Sequence, residues 1–318
     1  MKRVFALLLA LVLIAALAGC ASRIDENNPA TTTTAQAGSN SVTGQYKGKT
    51  ITLTRKVKTN IPVADSTHFV PFQNGYTYFI TENDQFAFID TAGNLLGENT
   101  YTIVYPFGSD GRALVRQQDG TLVYIDKTGA VVAPGINPDY SDDLEKEFYH
   151  DMESGLWGLK DETGFHLTRA IYQQHGDFVG NLCFVELAEG EHKNVLIDKN
   201  GAVKAVMPDD CYYVYLQPEG VALCLFPPNQ NDVFQHRLYS LSGKPLNNTT
   251  FKSFGNFQDG LAPVISNGKL GLIDTEGNLV IPPFFAMDDN YQIELAIGEN
   301  HILGVEDGKL VIYEVTRK

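Results

Sequence analysis

The chain has none of the short motifs that mark the common enzyme classes. No G-x-S-x-G elbow, H-E-x-x-H pair, G-x-x-x-x-G-K-[ST] loop or G-x-G-x-x-G turn occurs in its 318 residues, so nucleophile, zinc, phosphate-loop and dinucleotide chemistry have no local signature. Tryptophan occurs once and methionine four times. Basic residues are also scarce, 24 Lys plus Arg against 38 Asp plus Glu, for a net charge of −14. Phosphate backbones and anionic lipid surfaces need clustered cations, so a nucleic-acid partner is not expected. Four cysteines without a C-x-x-C spacing leave no zinc site, and no metal or cofactor is expected. The acidic pairs Asp142-Asp143, Asp209-Asp210 and Asp288-Asp289 lack the alternating oxygens of a calcium loop.

What is present begins with an address. Lys2 and Arg3 precede fifteen apolar residues, Val4 to Ala18, too few to span a bilayer as a helix and the right length for a signal-peptide core. The run ends in Leu17-Ala18-Gly19-Cys20, which resembles the lipobox of bacterial lipoproteins. That resemblance implies diacylglyceryl modification of Cys20 and cleavage before it. The alternative is an ordinary secretory signal that happens to hold a cysteine. Residues 1–19 are therefore read as a signal peptide, 20–45 as a lipidated tether and 46–318 as the folded domain. Between Ala21 and Ser41 only Ile24 is large and apolar, too little burial to offset the entropy of ordering. The expected location is the bacterial cell envelope, with the chain held to a membrane outside the cytoplasm by its lipid. Of the other cysteines, Cys183 and Cys224 sit in apolar strand-like runs and read as buried hydrophobes. One disulfide involving Cys211 stays open outside the cytoplasm.

The whole chain is rich in Gly (29), Pro (14), Phe (18) and Tyr (15), the composition of a turn-rich β protein. It also repeats. Ile89-Asp90-Thr91-Ala92-Gly93, Ile125-Asp126-Lys127-Thr128-Gly129, Ile197-Asp198-Lys199-Asn200-Gly201 and Ile273-Asp274-Thr275-Glu276-Gly277 share the pattern I-D-x-x-G, with weaker copies ending at Gly164 and Gly243. A second glycine (Gly111, Gly180, Gly220, Gly260) precedes each short apolar run. The clearest unit reads as strand Leu261 to Ile265, a turn, strand Leu270 to Asp274, a turn at Gly277 and strand Leu279 to Ile281. That is a meander of short antiparallel strands. Asp hydrogen-bonds the backbone ahead of it and Gly takes positive φ, so D-x-x-G closes a hairpin. The periodic Asp90, Asp126, Asp161, Asp198 and Asp274 are accordingly read as turn formers and not as a ring of acids.

On these residues the chain resembles the WG-repeat family, whose units follow a pattern like F-x-x-G-L-A-x-V then G-K-W-G-x-I-D-x-x-G. Asn256 to Pro282 is the best match, with Leu270-Gly271 in place of Trp-Gly; Trp157-Gly158 is the one true pair. The resemblance spans about residues 70 to 315 and implies a structural or interaction module without catalytic residues. Six good units and a shortened seventh, ending in the Asp307-Gly308 hairpin, predict an all-β domain, a seven-bladed β-propeller with an open β-solenoid as the alternative. Thr50 to Arg55, with Ile51 and Leu53 on one face, is expected to complete the short last blade.

The leads toward a ligand are aromatic. Tyr212, Tyr213 and Tyr215, Phe148-Tyr149 and Phe284-Phe285 suit stacking on sugars or filling a partner's pockets, against the plainer reading of core packing. His175-Gly176-Asp177 pairs a histidine with a carboxylate, but nothing in the sequence places a third group. A membrane-anchored, non-enzymatic binding or scaffold protein for a protein or glycan partner is the expected function. A propeller-based envelope glycan hydrolase and a surface sensor are the alternatives.

Overall fold

The I-D-x-x-G turns are all built alike. In each, the Asp carboxylate accepts hydrogen bonds from the backbone N–H groups two and four residues ahead. Asp198 Oδ1 takes those of Asn200 and Ala202 at 2.9 and 3.0 Å, and Asp274 Oδ1 those of Glu276 and Asn278 at 2.9 and 2.8 Å. The glycine, at φ +80° in Gly201 and +86° in Gly277, then turns the chain back into its hairpin.

The computed structural model describes residues 39–64, 70–136, 147–228, 234–288 and 295–318. Cys20, the targeting segment and residues 21–38 of the tether lie outside the described residues. Strand β1 (Ser41–Tyr46) and β2 (Lys49–Pro62) form an N-terminal hairpin, so folded structure starts five residues before the boundary expected at 46. Among the described residues, seven antiparallel units follow. The first is β3 (Tyr76–Ile80) with β4 (Phe86–Asp90). The second unit holds β5 (Ile103–Val104), β6 (Arg112–Arg116), β7 (Leu122–Asp126) and β8 (Val131–Pro134). The third is β9 (Phe148–Asp151) with β10 (Leu156–Leu159), and the fourth has β11 (Tyr172–His175), β12 (Leu182–Leu187), β13 (Asn194–Asp198) and β14 (Val203–Val206), with β10 also paired to β11 through Trp157 and Tyr172 so that the two units share one six-stranded sheet. In the fifth are β15 (Tyr213–Gln217), β16 (Val221–Phe226) and β17 (Gln235–Ser240). The sixth has β18 (Ser253–Phe254), β19 (Leu261–Ser266), β20 (Lys269–Asp274) and β21 (Leu279–Ala286). The last hairpin is β22 (His301–Glu306) with β23 (Lys309–Arg317).

These sheets stack face to face as blades. Alternate side chains of a strand point to opposite faces, and here the two faces meet two different neighbours. On β12, Cys183 and Val185 pack with Phe148 and Leu159 of the third unit, while Phe184 packs with Val214 and Ala222 of the fifth. On β19, Ala262 and Val264 face the fifth unit; Leu261 and Ile265 join the core shared with β22 and β23. Sheets buried on both sides by successive neighbours make a β-propeller.

The chain ends close the array. Strand β2 pairs antiparallel with β23, with Ile51 opposite Arg317, Leu53 opposite Val315 and Arg55 opposite Tyr313, so the N-terminal strand completes the last blade as expected. Ile51 and Leu53 are fully buried. Burying a side chain of that size contributes roughly 1.5–3 kcal/mol. Opposite charges line the same seam: Arg55 and Lys58 both lie 3.2 Å from Glu306, and Lys56 lies 3.0 Å from Glu314. Strand β1 goes further than the expectation and adds an outer strand that rests on β21, where a Cβ on Gly44 would collide with the Val280 carbonyl.

One seam differs from the rest. The turn glycines Gly93, Gly129, Gly201, Gly243 and Gly277 each sit against a residue of the preceding unit around the array: Val57, Leu96, Thr168, Val206 and Leu246 respectively. Gly164, the same position in the third unit, meets nothing within 4 Å. Among the described residues no core cluster joins the second unit to the third, and Val131 and Val132 on β8 are exposed.

Candidate binding surfaces

The structure sorts the aromatic leads into core and surface. Phe148 is 2 % exposed and stacks on His175 at 3.8 Å between ring centroids, with Phe178 beyond it, so it belongs to the core between the third and fourth units. Phe285 is likewise buried, against Phe284 and Tyr313. Tyr149 is half-buried; it stacks on His166 at 3.6 Å and donates its hydroxyl to the Thr168 carbonyl at 2.9 Å. Its ring crosses Gly158, where a Cβ would lie 2.4 Å from the ring, which explains glycine in the Trp157-Gly158 pair.

Tyr212 and Tyr215 are the exposed members, at 61 % and 45 %. On β15 the side chain of Val214 turns inward to the core, which leaves Tyr213 and Tyr215 together on the other face of the strand. Their rings meet at 4.7 Å, and Tyr213 also abuts Phe184 at 5.1 Å. Burial pushes the Tyr213 phenol up to about 12, so it stays neutral and hydrogen-bonding at any physiological pH. Tyr212 lies 6.2 Å from Phe234, also exposed, which sequence reasoning missed because nothing in its local pattern separates it from a strand residue. The surface carries onward through His175, whose carbonyl faces the Tyr213 hydroxyl at 3.5 Å and whose ring meets Trp157 at 4.8 Å. Tyr213 and Tyr215 are thus brought together, and Tyr212 pairs instead with Phe234. Phe148 reaches them only through His175, from within the core. His175 has its Nδ1 on the Gly176 carbonyl and its ring on Phe148, a packing role.

A second surface has no counterpart in the sequence reading. The turn between β1 and β2 brings Tyr46, Lys47 and Lys49 beside Arg317 at the end of β23, Glu219 of the fifth unit and Asp259-Gly260 of the sixth. Between them lies a cleft of about 610 Å³. Tyr46 Oη, Glu219 Oε2, Gln258 Oε1 and Arg317 Nε are buried here without hydrogen-bond partners. Buried polar atoms are ordinarily satisfied, so such a group of orphans is what a polar ligand or ordered water would complete. The lining carries both signs, Lys47, Lys49 and Arg317 against Glu219 and Asp259. Gly260, at φ +77°, lies so close under Tyr46 that a Cβ would sit 2.3 Å from the phenol oxygen. No group of three or more His, Cys, Asp or Glu side chains able to hold a metal occurs among the described residues.

No curated protein matches this chain. Among solved structures it is similar to the crystal structure of BamB from Moraxella catarrhalis, 11 % identical over 86 % of this chain and 94 % of that one, with a TM-score of 0.31. It is also similar to the AfRom2 CNH domain, 9 % identical over 83 % of this chain and 99 % of that one, with a TM-score of 0.38. The family model described as WG containing repeat matches residues 271–285, which run from Gly271 on β20 through the Gly277 turn to Phe285 on β21. That match falls within the sixth blade.

Proposed function

We propose that this chain is a membrane-anchored, extracytoplasmic binding or scaffold protein whose β-repeat domain takes a protein or glycan partner in the bacterial envelope without chemical turnover. The observation that carries the reading is the aromatic surface of the fifth unit. Tyr212, Tyr215 and Phe234 stand exposed on a unit whose strands are held in the core through Val214, Ala222 and Cys224. Large exposed aromatic groups on a rigid scaffold suit recognition, because they contribute contact area while losing little side-chain entropy. The lipobox-like Leu17-Ala18-Gly19-Cys20 supports the location, through an anchor at Cys20.

A photo-crosslinking residue at position 212 or 215, compared with one at Lys244, tests this in a bacterial host. Discrete adducts from 212 and 215 but not from 244 are expected. Equal labelling from all three positions, or none from any, contradicts the assigned surface. Glycan fragments released by the purified protein would favour the hydrolase alternative.

A further inference from the structure

Two of the three described cysteines share one core. Cys211 lies on the crossing segment that leads from the fourth unit into the fifth, and Cys224 lies on β16. Both are buried in the cluster that also holds Val214 and Ala222. The pairing of β15 with β16 sets their approach: Val214 is opposite Cys224, and the Tyr212 N–H donates to the Leu225 carbonyl at 2.6 Å, which draws the crossing segment onto β16. Asn194, itself buried, fixes the segment from the other side. Its amide donates to the Pro208 and Cys211 carbonyls, both at 2.9 Å, and lies 3.4 Å from the Cys211 sulfur. Both side chains lie in this one buried cluster. The Cys211 thiol beside it, ahead of burial, raises the Cys224 thiol well above the ordinary thiol range.

Cys183 is set apart. It belongs to the neighbouring cluster between the third and fourth units and donates to the Gly176 carbonyl at 3.1 Å, with burial pushing it up to about 12.

We infer that Cys211 and Cys224 are the two halves of one disulfide in the mature protein, and that Cys183 stays a free thiol. Disulfide bonding requires close Cα positions and converging side chains. Two thiols buried in one cluster, on segments fixed by Asn194 and by the strand pairing, are the pair among the described cysteines placed for it. In the reaction one cysteine, as its thiolate, attacks a disulfide-donating oxidant and releases one thiol from it. The second thiolate then displaces the other half. Two electrons pass to the oxidant, which takes up the two protons and leaves as two thiols. Because both sulfurs are buried in the finished fold, exchange occurs while β16 is still open. The link would tie the crossing segment to the blade that presents Tyr212 and Tyr215. In the cell the oxidant depends on the extracytoplasmic location proposed above.

The full chain is refolded in a glutathione redox buffer, denatured, alkylated and digested with trypsin, and the chain exported in a bacterial host is treated in parallel. No Lys or Arg lies between Lys204 and Arg237, so one peptide carries both cysteines. That peptide is expected unlabelled and two hydrogens lighter than its reduced form, with Cys183 alkylated on its own peptide. Two labels on the 205–237 peptide after refolding, or a link through Cys183, overturns the pairing. A link formed in glutathione but missing from the exported chain upholds the pairing and counts against the location.

Discussion

Leu53, on the second strand of the folded domain, lies directly opposite Val315 on the last one. Both are buried in the core that also takes in Phe79 and Ile89 of the first unit and Leu272 and Ile281 of the sixth. Deleting residues 41–57 would uncover blade faces on both sides of that junction. The expected outcome is cooperative destabilisation of the whole array and lost hydrogen-exchange protection from Leu310 to Val315. In an open repeat array the same deletion would fray one end only, so unchanged protection of that strand would contradict a closed propeller.

The unlike environments of the turn glycines give a second prediction. Gly277→Ala forces an L residue to φ +86° and places its Cβ 2.9 Å from the Leu246 carbonyl oxygen, whereas Gly164→Ala suffers the backbone strain alone. Left-handed backbone costs an L residue about 1–2 kcal/mol, and overpacking adds about 1–3 kcal/mol. Urea denaturation should therefore show Gly277→Ala as the costlier change by at least about 1 kcal/mol. Equal losses would mean that the end of the fifth blade does not bear on that turn.

His236 on β17 is held neutral by burial, which lowers its affinity for a proton below the ordinary value of 6.5 despite its hydrogen bond to the Lys252 carbonyl. The unfolded chain then binds the proton first as pH falls. Its contribution to stability is complete above about pH 6.5 and is lost as pH falls toward the folded value. Unfolding free energy should decline from pH 7 to pH 5, and more steeply in the wild type than in His236→Phe. Parallel slopes over that window would show that His236 titrates alike in both states.

Cys20→Ser tests the anchor. If Cys20 carries the lipid, membrane fractionation of the variant should release the protein from the membrane pellet, since a stable attachment needs more than one acyl chain or signal. Retention identical to the wild type would place the attachment elsewhere.

The hairpins were legible because their determinants are local. An Asp accepting two N–H groups and a Gly at positive φ lie within five residues of each other, so the spacing of Asp274 and Gly277 carries the geometry with it. The completing strand was legible too, through the alternation of Ile51 and Leu53, although nothing local foretold the outer strand β1. Facing was harder to read. Phe148 and Tyr212 are both strand-like aromatic residues in sequence, yet one stacks on His175 in a core and the other stands in solvent. Periodicity says which residues share a face, not what that face meets.

The amino-acid sequence by itself determined the all-β class, the seven hairpins and their turns, because each depends on hydrogen bonds and φ values within one short segment, and it offered the closing strand through the alternation of Ile51 and Leu53. Only the tertiary structure decided the cleft of Tyr46, Glu219 and Arg317, the shared core of Cys211 and Cys224, and the surroundings of Gly164 among the described residues. Each of these depends on which blade packs against which, and that is set by burial summed over many distant residues.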